Sequence, residues 1–280
     1  MKNERDLNEN TLKSYINDME NFKAFLEKQS IEKLESVNKT LVINYLIDLE
    51  KQGRATSTIA RNLSSIKSYY QFLLNKGYVS HNPTINLKAP KVERKIPNIL
   101  TKEEVDILMD QPDKHTFKGL RDRAMLELMY STGIGVNEII SIDIKDMDLD
   151  MGTLLVENNS ESRVVPVGSY ALRALEAYMK KLEATYDTGV LFVNSRGDRI
   201  SRQGFWKNLK EYEEMSNIKK KITPQILRQS FAVHMIENGA DLEVVQKMLG
   251  HSDPTTTQIY LYKSTGGNIR EVHRKSHPRA

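Results

Sequence analysis

Apolar residues recur at steps of three and four positions through most of residues 7–86, a period that predicts helices rather than strands. The first stripe consists of Leu12, Tyr15, Met19, Phe22 and Phe25. A later stripe lies within STIARNLSSIKSYYQFLLNKG and ends at Gly77, a residue type that commonly closes helices. Residues 7–86 are therefore predicted to be helical throughout.

Both helical and strand periods occur after residue 100. TLLVEN and SRVVPV are predicted strands on either side of residues 158–161, and GVLFV is a third predicted strand. Thr101 with Glu104 predicts a capping box, and Thr223 with Pro224 predicts the start of another helix. The fold class is predicted to be mainly α with a small β-sheet (α+β).

The segment between these parts, residues 87–99, is predicted to be a linker, because its sequence LKAPKVERKIPNI has two prolines, four basic residues and neither period. A basic linker can follow a nucleic-acid backbone, and a solvated connector is an equal alternative. A chain of 280 residues is long enough for two domains. We place them at 1–88 and 100–280, with residues 89–99 as the linker.

Composition excludes several kinds of site. The chain has no cysteine, and its six histidines show no metal-ligand spacing, so no metal and no other cofactor is expected. No apolar run approaches the roughly 20 residues that span a bilayer, and we expect a cytoplasmic protein without a membrane partner. A net charge of +4 permits nucleic-acid binding without requiring it.

Four polar residues near the C-terminus suggest a reaction at phosphorus. Gln225 and Arg228 lie three positions apart on one predicted helix and share a face, and His251 and Tyr260 follow in the next elements. An arginine can hold two phosphate oxygens, a histidine can transfer a proton, and a tyrosine hydroxyl can attack phosphorus covalently. Each also has an ordinary alternative, as a surface charge, a helix cap or a half-buried aromatic residue.

The stretch LRQSFAVHMIENGADLEVVQKMLGHSDPTTTQIY resembles the tyrosine recombinase (phage integrase) family, most closely its Xer-type members. ATSTIARNLSSIKSYYQFL is similar to the helical core-binding domain, and DRAMLELMYSTG, LFVNSRGD and SRQGFW are similar to the catalytic domain. The resemblance implies a four-helix N-terminal domain and a mixed α/β catalytic domain that close around duplex DNA as a C-shaped clamp. It also implies that the C-terminal segment NIREVHRKSHPRA docks on a neighbouring subunit, of the same chain or of a related recombinase.

The resemblance assigns catalytic roles to Arg228, His251 and Tyr260 as the second arginine, the second histidine and the nucleophile. At three other family positions the sequence departs: Gly135 stands in place of the first arginine, Gln225 in place of a histidine, and Asn158 in place of a hairpin lysine, within about one residue. Arg163 follows that hairpin at a place where the family also has an arginine, so it is not expected to be a replacement. These departures predict impaired cleavage.

By the same resemblance, five side chains are expected to face DNA: Arg61, Lys67, Arg202, Gln203 and Lys207. Each could equally be an ordinary surface residue. Three functions follow as hypotheses. The chain is a site-specific recombinase with weak or full activity, a DNA-binding accessory subunit without its own cleavage, or a helical protein–protein module unrelated to DNA.

Overall fold

A computed structural model of the chain describes residues 9–90, 99–157, 162–250 and 278. The chain divides into two units, Met1–Arg94 and Lys95–Ala280. Within the described ranges the chain is mainly helical and has one small three-stranded sheet, which confirms the predicted fold class. None of the described helices is long and apolar enough to cross a membrane.

The first unit has three described α-helices, α1 (Glu9–Lys28), α2 (Lys39–Lys51) and α3 (Thr56–Asn75), with a 3-10 turn at Leu34–Ser36. Their apolar stripes meet in one core, in which Phe22, Val42, Ile66 and Tyr70 have no exposed surface. The Tyr45 hydroxyl donates to Asn62 Oδ1 at 2.8 Å, which ties α2 to α3.

The prediction that residues 7–86 are helical throughout was wrong after Asn75 and in the connections at residues 29–38 and 52–55. The described residues of this unit hold three α-helices where the family resemblance implied four. Gly77, with φ 73°, follows the end of α3 in the left-handed region that glycine adopts without strain. Pro83 lacks an amide proton for helix formation. Instead, the Asn82 side chain accepts from the backbone N–H and the hydroxyl of Thr84, which fixes a turn.

The second unit is built around helix α5, whose central residues are buried almost all round. Its described helices are α4 (Lys102–Met109), α5 (Phe117–Thr132), α6 (Val136–Ser141), α7 (Ser169–Glu183), α8 (Arg202–Ser216), α9 (Pro224–Glu237) and α10 (Leu242–Leu249). The capping box of Thr101 and Glu104 is present, and Thr223 caps α9 through the backbone N–H of Ile226, as predicted. Helix α6 was not foreseen.

The sheet contains β1 (Met147–Asp148), β2 (Thr153–Glu157) and β3 (Ser162–Pro166) in that order, with both pairs antiparallel. TLLVEN and SRVVPV thus form paired strands as predicted. The prediction that GVLFV is a strand was wrong: it makes only isolated bridges, Asp143 with Val190 and Val193 with Arg199. Its apolar side chains are buried in the helical core rather than paired along a sheet edge, so burial and not strand pairing explains the run.

His234, on α9, forms a buried contact that gives the fold a pH dependence. Its side chain is almost fully buried, and its Nδ1 lies 2.7 Å from the hydroxyl of Tyr130 on α5. Burial lowers its pKa below the ordinary value, although Glu237 and Glu103 act in the opposite direction and Lys102 adds to the decrease. The folded state therefore favours the neutral ring, whereas the unfolded chain binds a proton near pH 6.5.

Because the folded pKa is the lower one, the contribution of His234 is complete above about pH 6.5 and is lost as the pH falls below it. We expect the unfolding free energy to fall more steeply between pH 7 and 5 in the wild type than in His234→Gln. Urea unfolding followed by the fluorescence of Trp206, the only tryptophan in the chain, measures this. The exposed His115→Gln is the control. Equal slopes for the wild type and His234→Gln would contradict the prediction.

Candidate active site

Gly135 is the N-cap residue of α6, and it lies two residues after Gly133, which closes the C-terminus of α5 with φ 68°. The backbone N–H of Gly135 donates to Glu138 Oε2 at 2.7 Å. This is the half of a capping box that a glycine can make, since it has no side chain to complete the other half. The contact fixes the Glu138 carboxylate at the start of α6.

Two arginines bind this carboxylate from other elements. Arg163, on β3, donates from Nη1 to Glu138 Oε1 at 2.7 Å. Arg228, on α9, places Nη1 at 3.5 Å from Glu138 Oε2. The three side chains are mostly buried, with exposed fractions of 16% for Arg163, 13% for Arg228 and 14% for Glu138. Two guanidinium groups and one carboxylate leave this group with one net positive charge.

Glu138 is ionised in this arrangement. Burial acts to raise its pKa, but the hydrogen bonds from Arg163 and from the amide of Gly135, with the charges of Arg163 and Arg228, outweigh burial. The pKa of Glu138 therefore lies below its ordinary value. A charged carboxylate is what holds both guanidinium groups in fixed orientations.

The same two arginines also bind the C-terminal end of α10. Arg163 Nε donates to the carbonyl of Met248 at 2.9 Å, and Arg228 Nη2 donates to the carbonyl of Leu249 at 2.6 Å. The last carbonyls of a helix lack partners within it and carry partial negative charge, so cations are favourable there. The chain thus reaches position 251 from a helix end that two arginines fix.

Gly135 and Arg228 lie close together in the structure. A Cβ atom added at Gly135 would lie 3.6 Å from Arg228 Nη1 and 3.4 Å from Glu138 Oε2. Gln225 is exposed on the first turn of α9, whereas Arg228, three residues later, points into the contact with Glu138. Asn158, His251 and Tyr260 lie outside the described residues.

The side chains predicted to face DNA divide into two groups. Arg202, Gln203 and Lys207 are exposed in the first half of α8. Arg61 is paired with the buried carboxylate of Asp18 at 3.0 Å, and the ammonium of Lys67 donates to the carbonyl of Leu87. The latter two therefore have partners within the first unit. Part of the polar face predicted on α3 is also internal, because Ser65 is buried and donates to Asp18.

Sequence analysis alone assigned no role to Glu138 and did not predict that Arg163 would reach it. The signal in the sequence was the place of Glu138 three residues after Gly135, where the family that the chain resembles also has a glutamate. In the described part of the chain, no group of three or more histidine or acidic residues is arranged to hold a metal ion. The contacts among Glu138, Arg163 and Arg228 suit an anion rather than a metal.

Comparisons with known proteins identify the family of the chain. Residues 98–266 match the model of the phage integrase family, and residues 1–77 match the phage integrase N-terminal SAM-like domain. The tyrosine recombinase XerD of Staphylococcus epidermidis is 40% identical over 99% of this chain and 95% of its own length. The XerD of Halalkalibacterium halodurans is 41% identical over 100% of this chain and 95% of its own length.

Solved structures share the fold at lower identity. The XerH recombinase bound to palindromic difH substrate aligns with a TM-score of 0.75 at 20% identity, over 89% of this chain and 75% of that one. A lambda integrase dimer bound to a COC' core site aligns with a TM-score of 0.72 at 17% identity, over 92% of this chain and 90% of that one.

Proposed function

This chain belongs to the phage integrase family of site-specific tyrosine recombinases, and we propose that it binds duplex DNA with a phosphodiester group beside Arg228. One observation carries the proposal: Arg228 is mostly buried and is held between Glu138 and the carbonyl of Leu249. Such a preoriented guanidinium suits a phosphate, since it need not reorganise when the anion arrives. The relatives solved with DNA, XerH and lambda integrase, support a duplex ligand.

The reaction of the family, carried to this chain, uses Tyr260 as the nucleophile. The phenolic oxygen forms a bond to phosphorus, the bond from phosphorus to the 5′-oxygen breaks, and a proton goes to that oxygen. A 3′-phosphotyrosyl link and a free 5′-hydroxyl result. The hydroxyl then attacks the phosphotyrosyl phosphorus of the partner strand, the bond from phosphorus to the tyrosine oxygen breaks, and a proton returns to that oxygen. His251 lies within the same motif and would shuttle a proton.

We propose that this cleavage is impaired. Gly135 removes one preorganised donor, which typically costs about 10²–10³ in rate. Asn158 in place of a lysine removes the general acid, typically worth about 10²–10⁴. The losses need not multiply, because residues of one site act as a unit. Gln225 is the mildest change, since an amide still donates a hydrogen bond.

The second candidate is a DNA-binding accessory subunit that does not cleave. The same three substitutions favour it, because they affect phosphate binding and proton donation while leaving the fold and the exposed basic residues of α8. In that case NIREVHRKSHPRA would dock on a neighbouring subunit, either of this chain or of a related recombinase. The protein would bind the duplex in the cytoplasm. A module unrelated to DNA has no support, because the family matches cover nearly the whole chain.

A nicked suicide duplex separates the first two candidates. The recognition site would be chosen from repeats flanking the gene, and wild type would be compared with Tyr260→Phe. Retardation on a native gel reports binding, and a protein–DNA adduct on a denaturing gel reports cleavage. We expect retardation for both proteins and only a weak adduct, confined to the wild type. A strong wild-type adduct would contradict impairment, and no retardation would contradict DNA binding.

Exposed basic residues on α8 should determine part of the salt dependence of binding. Each phosphate contact by a lysine or arginine releases counterions, so Arg202→Ala or Lys207→Ala should reduce the slope of log K against log[salt] by about 1. Fluorescence anisotropy with labelled duplex measures this. Lys210→Ala on the same helix is the matched control, because Lys210 is paired with Glu213 at 2.8 Å. An equal decrease in slope for all three variants would contradict the assignment.

Arg61 and Lys67 also stay predicted DNA contacts, with a weaker basis. Both side chains already bind within the first unit, so a phosphate would have to share them. The Arg61 side chain keeps 39% of its surface exposed, which leaves room for a second acceptor.

A further inference from the structure

Arg163 holds an unused donor in the candidate active site. Its Nε donates to the carbonyl of Met248 and its Nη1 to Glu138 Oε1. Its third nitrogen, Nη2, is buried, and no acceptor for it exists among the described residues. A buried donor on a charged group without an acceptor is costly, and a catalytic role or a bound water or ion is among the explanations for such a group in native structures.

This donor lies beside the arginine that the family uses for phosphate. Arg163 and Arg228 approach opposite oxygens of Glu138 and bind the carbonyls of two consecutive residues at the end of α10. The two guanidinium groups therefore lie side by side, each held at two points. Nη1 and Nη2 of Arg163 are bonded to the same guanidinium carbon. Because Nη1 donates to Glu138 Oε1, Nη2 also lies close to the Glu138 carboxylate.

Gly135 leaves space at the same place. In the described chain, a Cβ atom at position 135 would meet only Glu138 Oε2 and Arg228 Nη1 within 4 Å, both at ordinary contact distances. The family arginine that would occupy this space is missing, and the Glu138 carboxylate remains. Arg163 is then the guanidinium that brings the net charge of this group to +1, which matches one phosphodiester.

From the sequence, Arg163 is not expected to replace the first arginine, but its buried donor without an acceptor among the described residues changes that expectation. We propose that Nη2 of Arg163 donates to a non-bridging oxygen of the scissile phosphate in duplex DNA, in the role that the first arginine has in the family. The proposal rests on the proposed function, since it requires DNA to bind beside Arg228. Arg163 is then a catalytic residue as well as the side chain that fixes the end of α10. The contact is made in the bound state, so it can be tested by binding even if cleavage is absent.

The test uses duplexes of the recognition site in which one phosphate at a time is replaced by a neutral methylphosphonate. Wild type should lose affinity by about tenfold at the phosphate that Arg228 contacts, as expected for a charge-assisted hydrogen bond. The Arg228→Gln variant should identify this phosphate, because its affinity for DNA should be the same whether that phosphate is native or replaced by a methylphosphonate. Arg163→Gln and Arg163→Lys are expected to lose most of the effect at the same phosphate and at no other.

Arg163→Lys separates a direct contact from an indirect one. A lysine keeps a positive charge beside Glu138, and so keeps Arg228 in place, but it cannot also supply the second nitrogen of the fork. Arg199→Gln is the matched control, because Arg199 likewise binds backbone carbonyls, of Ile140 and Ile142, and a carboxylate, that of Asp143. It should behave as the wild type. Thermal melting would verify that each variant is folded.

Two outcomes would overturn the proposal in different ways. If Arg163→Lys keeps the full methylphosphonate effect at the phosphate that Arg228 defines, Arg163 acts only through Glu138 and the donor role is wrong. If no methylphosphonate position distinguishes the wild type from Arg228→Gln, or if the wild type does not bind duplex DNA, the proposed function itself is wrong.

Discussion

Gly135→Arg is expected to raise the rate of Tyr260-dependent cleavage by about 10²–10³-fold, the usual contribution of one preorganised donor to a charged transition state. Negative charge gathers on the phosphate oxygens as the phenolic oxygen attacks. A guanidinium at position 135 would start beside Arg228 Nη1 and Glu138 Oε2. It would raise the net charge of the group formed by Arg163, Arg228 and Glu138 from +1 to +2.

The local structure accepts this side chain. Gly135 has φ −80° and ψ 162°, an extended conformation that any residue adopts. An added Cβ has no contact under 3.4 Å. The hydrogen bond from position 135 to Glu138 uses the backbone amide, so it survives substitution. Gly133 is different, since a Cβ there would lie 2.4 Å from the ring of Phe231.

The measurement is the rate of adduct formation on the nicked suicide duplex. Gly135→Gln is the matched control, because it adds a side chain of similar reach without the charge and should give little increase. The Gly135→Arg, Tyr260→Phe double variant should give none. If Gly135→Arg binds DNA and forms adduct no faster than the wild type, the limiting defect lies elsewhere, with the absent hairpin lysine as the next position to test.

Glu138→Ala is expected to lower the unfolding free energy of the second unit by about 3–5 kcal/mol, because removal of one partner of a buried ion pair leaves charge uncompensated. Arg163 and Arg228 would both lose their carboxylate in surroundings that expose only 16% and 13% of their side chains. Urea unfolding followed by Trp206 fluorescence measures the effect.

Asp110→Ala is the matched control for this loss. Asp110 also accepts from an arginine, Arg123, at 3.0 Å, but 65% of its side chain is exposed, so we expect a cost of about 0–1 kcal/mol. The difference between Glu138→Ala and wild type should shrink at low pH. The folded pKa of Glu138 is lowered, so its contribution is complete above the unfolded value of about 4.3 and is lost as the pH falls through the folded pKa. Similar costs for the two variants at pH 7 would contradict the role of burial.

Local sequence was sufficient for most helices and for the paired strands. Thr101 and Thr223 cap helices where their side-chain chemistry predicts, because capping depends on residues three or fewer positions away. Local sequence was misleading for GVLFV. An irregular apolar segment that is buried in a core has the same composition as a buried strand, so the sequence does not distinguish them. Local sequence was also insufficient for residues 76–86, where Gly77 and Pro83 end the helical pattern.

For the site, the order of residue types along the chain was enough to identify the family and to predict a role for Arg228 and substitutions at Gly135, Asn158 and Gln225. These are properties of neighbouring positions and of matched motifs. Only the tertiary structure brought Glu138, Arg163 and Arg228 together, from a helix start, a strand and a second helix. Their contacts with one another and with the end of α10 depend on packing between segments 21 to 90 residues apart, and no local pattern carries that information.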